Sequence, residues 1–255
     1  MAFWKMENKD PDALENLRAD LRQAASPQKA KMLQRFFKTG KGEYAEGDRF
    51  LGVAAPQTRA IVKKYWREIS TREAEILLRG EIHEERMAAL LVLAEKFEKG
   101  DELSRKKIFD LYLANAKFVN SWDLVDLSAP KIAGAHLEDK DKSILLKLAG
   151  SKNLWERRIA MLATFRFIKN GDAVTALKIA EMLINDKEDL IRKAVGWMLR
   201  EVGKHCGQGA EEEFLDKHCK TMPRTALRYA IERFDEKKRH YYLTAASDAK
   251  RRNQC

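Results

Sequence analysis

Four short stretches of the chain repeat one pattern at nearly constant intervals, and this recurrence narrows the fold more than any other feature. Glu85-Arg86-Met87-Ala88-Ala89-Leu90 resembles Arg157-Arg158-Ile159-Ala160-Met161-Leu162, Ile191-Arg192-Lys193-Ala194-Val195-Gly196 and Pro223-Arg224-Thr225-Ala226-Leu227. Each sets a basic residue two positions before a small or apolar one inside an apolar helix pattern. Trp122 falls midway between the first two anchors. The steps from Arg86 through Trp122, Arg158 and Arg192 to Arg224 are then 36, 36, 34 and 32 residues. A period in the thirties with two helices per unit is the mark of an α-solenoid. Stacked helix pairs curve, so a concave wall is expected. If each anchor opens the second helix of its unit, that wall carries Arg86, Trp122, Arg158, Arg192 and Arg224, a basic groove better suited to a duplex than to a small metabolite.

The local pattern agrees with an all-α fold. Ile82, Met87, Ala89, Leu90, Leu93, Ala94 and Phe97 recur at three- and four-residue steps, the stripe of an amphipathic helix. The same spacing predicts helices over 154–168, 173–183, 190–202 and from Phe214 onward, and no segment sustains strict alternation. Breakers fall between them, at Ser26-Pro27, Gly40 to Gly52, Gly80, Gly100, Gly150-Ser151, Asn170-Gly171 and Gly203 to Gly209. With only 13 glycines and 5 prolines in 255 residues, turn-makers are too scarce for a many-stranded sandwich or barrel. An apolar fraction of 45% supports a packed core rather than a disordered chain. The longest strongly apolar run, Ala88 to Ala94, is far short of the ~20 residues of a membrane span. The opening Met1-Ala-Phe-Trp-Lys-Met-Glu-Asn-Lys-Asp lacks a leader pattern, so a cytoplasmic location without membrane association is expected. The expected organisation is one domain over 1–255, with repeats over about 14–234 and a basic C-terminal tail over 235–255.

The net charge is +10, and residues 151–255 hold 22 basic against 15 acidic side chains. A positive field draws polyanions, nucleic acid above all, although a merely basic soluble surface has the same composition. The three cysteines, Cys206, Cys219 and Cys255, are too few for a disulfide frame. His205-Cys206 and His218-Cys219 lack the spacing of a zinc site, so no metal is expected. Gly42 to Gly47 has the glycine spacing of a phosphate loop, but Asp48-Arg49 follows where Lys-Ser/Thr is required. The segment from Lys38 to Gly52 still carries four glycines. It reads either as an element that approaches a backbone closely or as a plain surface connection.

Asn120-Ser121-Trp122-Asp123-Leu124-Val125-Asp126 is the most informative segment. Trp122 and Asp126 are four apart and share a helix face, whereas Asp123 points elsewhere, to cap the helix or meet solvent. A tryptophan followed one turn later by a carboxylate is a poor choice for a buried face. It is a sensible one where an aromatic presses on a ligand and an acid faces a reacting centre. Together with Leu154-Trp155-Glu156-Arg157-Arg158-Ile159-Ala160 and Ile191-Arg192-Lys193-Ala194-Val195-Gly196-Trp197-Met198-Leu199-Arg200-Glu201, this segment resembles the DNA alkylation repair family of AlkD-like glycosylases. Phe50-Leu51-Gly52-Val53 with Pro56, and Pro223 to Ile231, extend the resemblance over most of the chain, about residues 14–234.

The resemblance implies HEAT-like repeats and removal of N3- and N7-alkylated purines from double-stranded DNA, with the lesion left stacked. It places Asp126 at the catalytic carboxylate and Trp122 and Trp197 at the two aromatics that contact the backbone of the lesion nucleotide. Arg158 matches the arginine that holds DNA beside them. Arg86, Arg192, Lys193, Arg200 and Arg224, with Phe36 and Lys38 near the start, are the further residues expected to touch DNA. Phe36 stands where some members carry a tyrosine, so a hydroxyl contact is missing; Tyr44 in the glycine loop is the candidate to replace it. No cofactor, metal or obligate protein partner is implied, and a monomer is expected. The alternative is a helical scaffold that grips DNA, RNA or protein without chemistry; the joint presence of Asp126, Trp122, Arg158 and Trp197 favours the enzyme.

Overall fold

The computed structural model describes residues 12–252, with side chains described as far as residue 247. Cys255, the opening segment read above for a leader, and the side chains of Lys250, Arg251 and Arg252 in the basic tail lie outside the described residues. The chain divides into two compact units, residues 1–128 and 129–255.

The first unit contains α1 (Ala13–Gln23), α2 (Pro27–Phe36), α3 (Ala55–Tyr65), α4 (Thr71–Leu78), α5 (His83–Lys99), α6 (Glu102–Ala114), a 3-10 turn (Ala116–Phe118) and α7 (Trp122–Ser128). Helix starts follow from capping side chains that satisfy otherwise orphaned N–H groups. Ser26 accepts from Lys29 N ahead of Pro27, Ser70 and Glu73 form a reciprocal capping box, and Asp101 accepts from Ser104 N. Helix α5 is the hub. All of its residues from His83 to Ala94 are buried, as is Phe97, and it packs against α3, α4, α6 and α7. A helix apolar all round belongs in a core. Its first turn is the exception, with His83, Glu84, Glu85 and Arg86 all buried and charged or polar. Helix α2, by contrast, has no buried residue, and Met32 and Phe36 are 65% and 64% exposed.

The second unit contains a π-helical turn (Pro130–Gly134), α8 (Ala135–Leu137), α9 (Ser143–Ala149), α10 (Leu154–Ala163), α11 (Phe165–Lys169), α12 (Val174–Leu183), α13 (Asp189–His205), α14 (Gln208–His218), α15 (Arg224–Ala230), a 3-10 turn (Ile231–Arg233) and α16 (Glu236–Arg252). The elements pair and stack: α9 packs on α10 and α12 on α13, while α10 packs on α13 and α13 on α15. The five anchors of the repeat all fall within the first five residues of their helices, α5, α7, α10, α13 and α15. The single helix expected over 154–168 is broken at Thr164, whose hydroxyl donates to the Met161 carbonyl at 2.6 Å and competes with the helical ladder. The C-terminal segment is a helix docked on its unit, with Tyr242 and Ala246 buried and the Tyr242 hydroxyl donating to Asp216 at 2.8 Å. Among the described residues there is no strand; one isolated bridge joins Arg49 to Ile82. No helix among them is long and apolar enough to cross a membrane.

Candidate nucleic-acid site

In α7 the buried side chains are Leu124, Val125 and Ser128, preceded by fully buried Ser121. Trp122 and Asp126 therefore stand on the other side of the helix, both partly exposed. Behind Asp126 the core is polar at one point. The Tyr112 hydroxyl meets Ser128 Oγ at 3.0 Å, and its proton is held well above the ordinary phenol range by burial and, after it, the Asp126 charge.

The Trp122 ring lies in an aromatic stack. Phe37 is parallel to it at 5.2 Å and 14°, and Phe36 meets it edge-on at 6.0 Å and 73°. Phe37 in turn stacks on Phe50 at 5.1 Å. Trp122, Phe36 and Asp126 are thus neighbours of one surface, as the sequence predicts for two of them by spacing; the third comes from 86 residues away. Lys38 is exposed and adopts a left-handed backbone (φ 52) where α2 gives way to the glycine loop.

Asp123 does something the sequence does not announce. Its Oδ2 is hydrogen-bonded to His83 Nε2 at 2.8 Å. The other ring nitrogen, Nδ1, is hydrogen-bonded to Asp48 Oδ2 at 2.8 Å, and Arg86 forms an ion pair with the same Asp48. His83 and Asp48 are 2% and 1% exposed at their side chains and Asp123 is 14% exposed. Burial pushes the Asp123 carboxyl up, but the hydrogen bond to His83 and the electrostatic attraction of that ring outweigh it, and the group is held below the ordinary carboxylate range. Burial pulls the Arg86 guanidinium down to about 10, with Asp123 pulling the other way. Arg86 was expected on a DNA-facing wall. The structure corrects this: the side chain is 7% exposed and committed to Asp48, so it braces the loop and has no face for a phosphate. The glycine loop is likewise no plain connection. Leu51, Gly52 and Val53 donate their N–H groups to the Glu84 carboxylate at 2.9, 2.8 and 3.2 Å, and His83 N–H donates to the Arg49 carbonyl at 2.8 Å.

In the second unit, Trp197 is partly exposed, lies 5.9 Å from Phe165, and donates its indole N–H to Glu201 at 3.3 Å. Glu201 is also approached by Arg200, Lys204, His205 and Arg233. Arg158 is 5% exposed and donates to the Leu190 carbonyl at 2.5 Å. Arg192 donates to the Asp186 carbonyl at 2.7 Å, and Arg224 donates to the Leu243 carbonyl at 2.7 Å and to Ser247, tying α15 to α16. Lys193 pairs with Asp189 at 2.8 Å, and Arg200 pairs with Glu232. No group of three or more His, Cys, Asp or Glu side chains suited to a metal ion occurs among the described residues.

The sequence model of one family, described as DNA alkylation repair enzyme, matches residues 17–234. A solved structure described as "Predicted DNA alkylation repair enzyme from Enterococcus faecalis" superposes with a TM-score of 0.65 at 18% identity, over 83% of this chain and 97% of its own, which is a likeness of fold. No curated protein sequence matches the chain.

Proposed function

The chain belongs to the DNA alkylation repair enzyme family, and from that premise we propose that it is a glycosylase that hydrolyses the N-glycosidic bond of positively charged N3- and N7-alkylated purines in double-stranded DNA. The observation that carries this reading is the surface of α7, where Asp126 is partly exposed one helical turn from a Trp122 ring that is itself backed by Phe37. The chemistry suits so spare a set of groups. An alkylated purine already bears positive charge and leaves as a neutral molecule, so it needs no strong general acid. Positive charge builds instead on the deoxyribose as the bond breaks. One carboxylate stabilises that oxocarbenium-like centre and orients the attacking water. An indole beside the sugar adds cation–π attraction.

In this reading Asp126 is the catalytic carboxylate, and Trp122 and Trp197 contact the lesion nucleotide. Phe36, with 64% of its surface exposed, offers an aromatic face at the edge of Trp122 without a hydroxyl. Lys38, Lys193, Arg192, Arg200 and Arg224 are proposed as backbone contacts, Arg158 being buried and bound to the Leu190 carbonyl much as Arg86 is to Asp48, and the protein acts as a monomer in the cytoplasm. The test is mass spectrometry of bases freed from methylated duplex. The wild-type protein releases 7-methylguanine or 3-methyladenine, and Asp126→Asn binds the duplex but releases neither. Release at the wild-type rate by that variant would remove Asp126 from the mechanism. Binding without release by the wild-type protein would identify a scaffold instead.

A further inference from the structure

The proposed reaction makes no use of the buried array of Asp48, His83, Asp123 and Arg86, and its chemistry asks for an explanation. Replacing a buried ionic cluster by apolar side chains of like volume is often neutral or stabilising, so stability alone is a weak reason for one. What such a cluster supplies is direction: hydrogen bonds fix the angle and register of the elements they join, which apolar contacts do not.

Here the elements joined are three. Asp48 comes from the glycine loop, His83 and Arg86 from the first turn of α5, and Asp123 from the first turn of α7. Helix α7 has seven residues, too few to hold its own geometry, because a helix this short is marginal without tertiary support. Its inward face is gripped by Leu124, Val125 and Ser128. Its first turn, which carries Trp122, is gripped by the Asp123–His83 hydrogen bond at 2.8 Å and by the Trp122–Phe37 stack at 5.2 Å. The histidine ring belongs to that stack as well, lying 4.4 Å from Phe50 at 23° and 5.2 Å from Phe37. Its two nitrogens face two carboxylates, each at 2.8 Å. The imidazole is therefore fixed in plane by Asp48 on one side and Asp123 on the other, while the aromatic rings fix it face-on. Arg86 and Glu84, from the same turn of α5, fasten the loop that delivers Asp48.

We propose that His83, clamped between Asp48 and Asp123, is a positioning residue that seats Trp122 and, through α7, Asp126. The consequence for cleavage rests on the glycosylase reading above; the seating of the indole does not. His83 touches no reacting atom. It sets the angle at which the α7 surface meets a nucleotide, and the glycine loop is the strut that keeps it there.

The test uses the full chain labelled with 5-fluorotryptophan, the Trp122 resonance being assigned by its loss in Trp122→Phe. In His83→Gln, the Trp122 fluorine resonance shifts or broadens while those of Trp155 and Trp197 hold. The single-turnover release of base from methylated duplex at saturating protein falls between about 10- and 100-fold, the scale of a misplaced catalytic group. Duplex affinity changes less than about twofold, separating a rate effect from a binding effect. An unchanged Trp122 resonance in folded His83→Gln overturns the proposal, as does a moved resonance with wild-type release. Should His83→Gln not fold, Asp123→Asn and Asp48→Asn carry the same measurements with isosteric side chains. Loss of fold in all three makes the array a folding element and also overturns the proposal. If the wild-type protein frees no base, the glycosylase reading fails, and the Trp122 resonance alone decides the inference.

Discussion

Arg157 and Arg158 are adjacent in the chain, identical in type, and held by different means. Arg157 Nε and Nη2 donate to the two oxygens of Asp186 at 2.6 and 3.3 Å, and its Nη1 donates to the Ser151 and Lys152 carbonyls at 3.0 Å. Both partners of the ion pair are over nine-tenths buried at the side chain. Removing one partner of such a pair leaves an uncompensated charge, which costs on the order of 3–5 kcal/mol. Arg157→Ala is therefore expected to lower unfolding free energy by about that amount in urea titration, against well under 1 kcal/mol for an exposed arginine. Glu211 is the opposite case. Burial, then the charge of Glu212, pushes its carboxyl up to about 8 from an ordinary 4.5. The folded state then binds a proton that the unfolded state has released. The contribution of this group to stability is full below about pH 4.5 and is lost as pH rises through about 8. Glu211→Gln should flatten the decline in Tm between pH 5 and 9 and melt above the wild type at pH 9. An unchanged pH profile would show that Glu211 is ionised in the fold.

Helices meet where a missing side chain lets them. A Cβ built on Gly196 of α13 would lie 2.3 Å from the Ala226 carbonyl oxygen and 2.5 Å from Tyr229 Cβ of α15. Backbone cannot rotate away, so the helices must part. Alanine would gain about 1 kcal/mol of helix propensity at an unconstrained site. Overpacking costs typically 1–3 kcal/mol and occasionally more, and a backbone clash belongs at the upper end. Gly196→Ala is expected to lower Tm by several degrees, at roughly 2–4 °C per kcal/mol for a chain of this size. A rise in Tm would mean that α13 and α15 slide apart at no cost.

For the whole molecule, the net charge of +10 bears on how DNA is held rather than on which lesion is removed. If six or more phosphates are contacted, duplex affinity falls by about 10³ or more between 50 and 200 mM salt. Single substitutions separate contacts from struts. Lys38→Ala, at an exposed position, is expected to reduce the salt slope by about one unit with little change in Tm. Arg86→Gln should lower Tm and leave the slope unaltered, because its partner is Asp48 inside the unit. A reduced slope in Arg86→Gln would return that residue to the DNA surface.

Helical periodicity, the spacing of the anchors and the pairing of Trp122 with Asp126 on one face are properties of neighbouring residues, so the all-α fold and the exposed side of α7 were legible from the sequence. The anchors did lie near the starts of their helices, as their period predicts. Which charges face water was not legible. Arg86 and Lys193 are both basic residues near the start of an apolar helix, yet one is buried against Asp48 and the other is partly exposed beside Asp189. The difference arises from partners far away in sequence, 38 residues for Arg86 against four for Lys193. The same is true of His83, whose two carboxylates lie 35 and 40 residues away on either side. Hydrophobic spacing encodes which way a side chain points along its own helix. Only chain packing decides what it meets there, since burying a charge is affordable only beside the counter-charge that tertiary structure delivers.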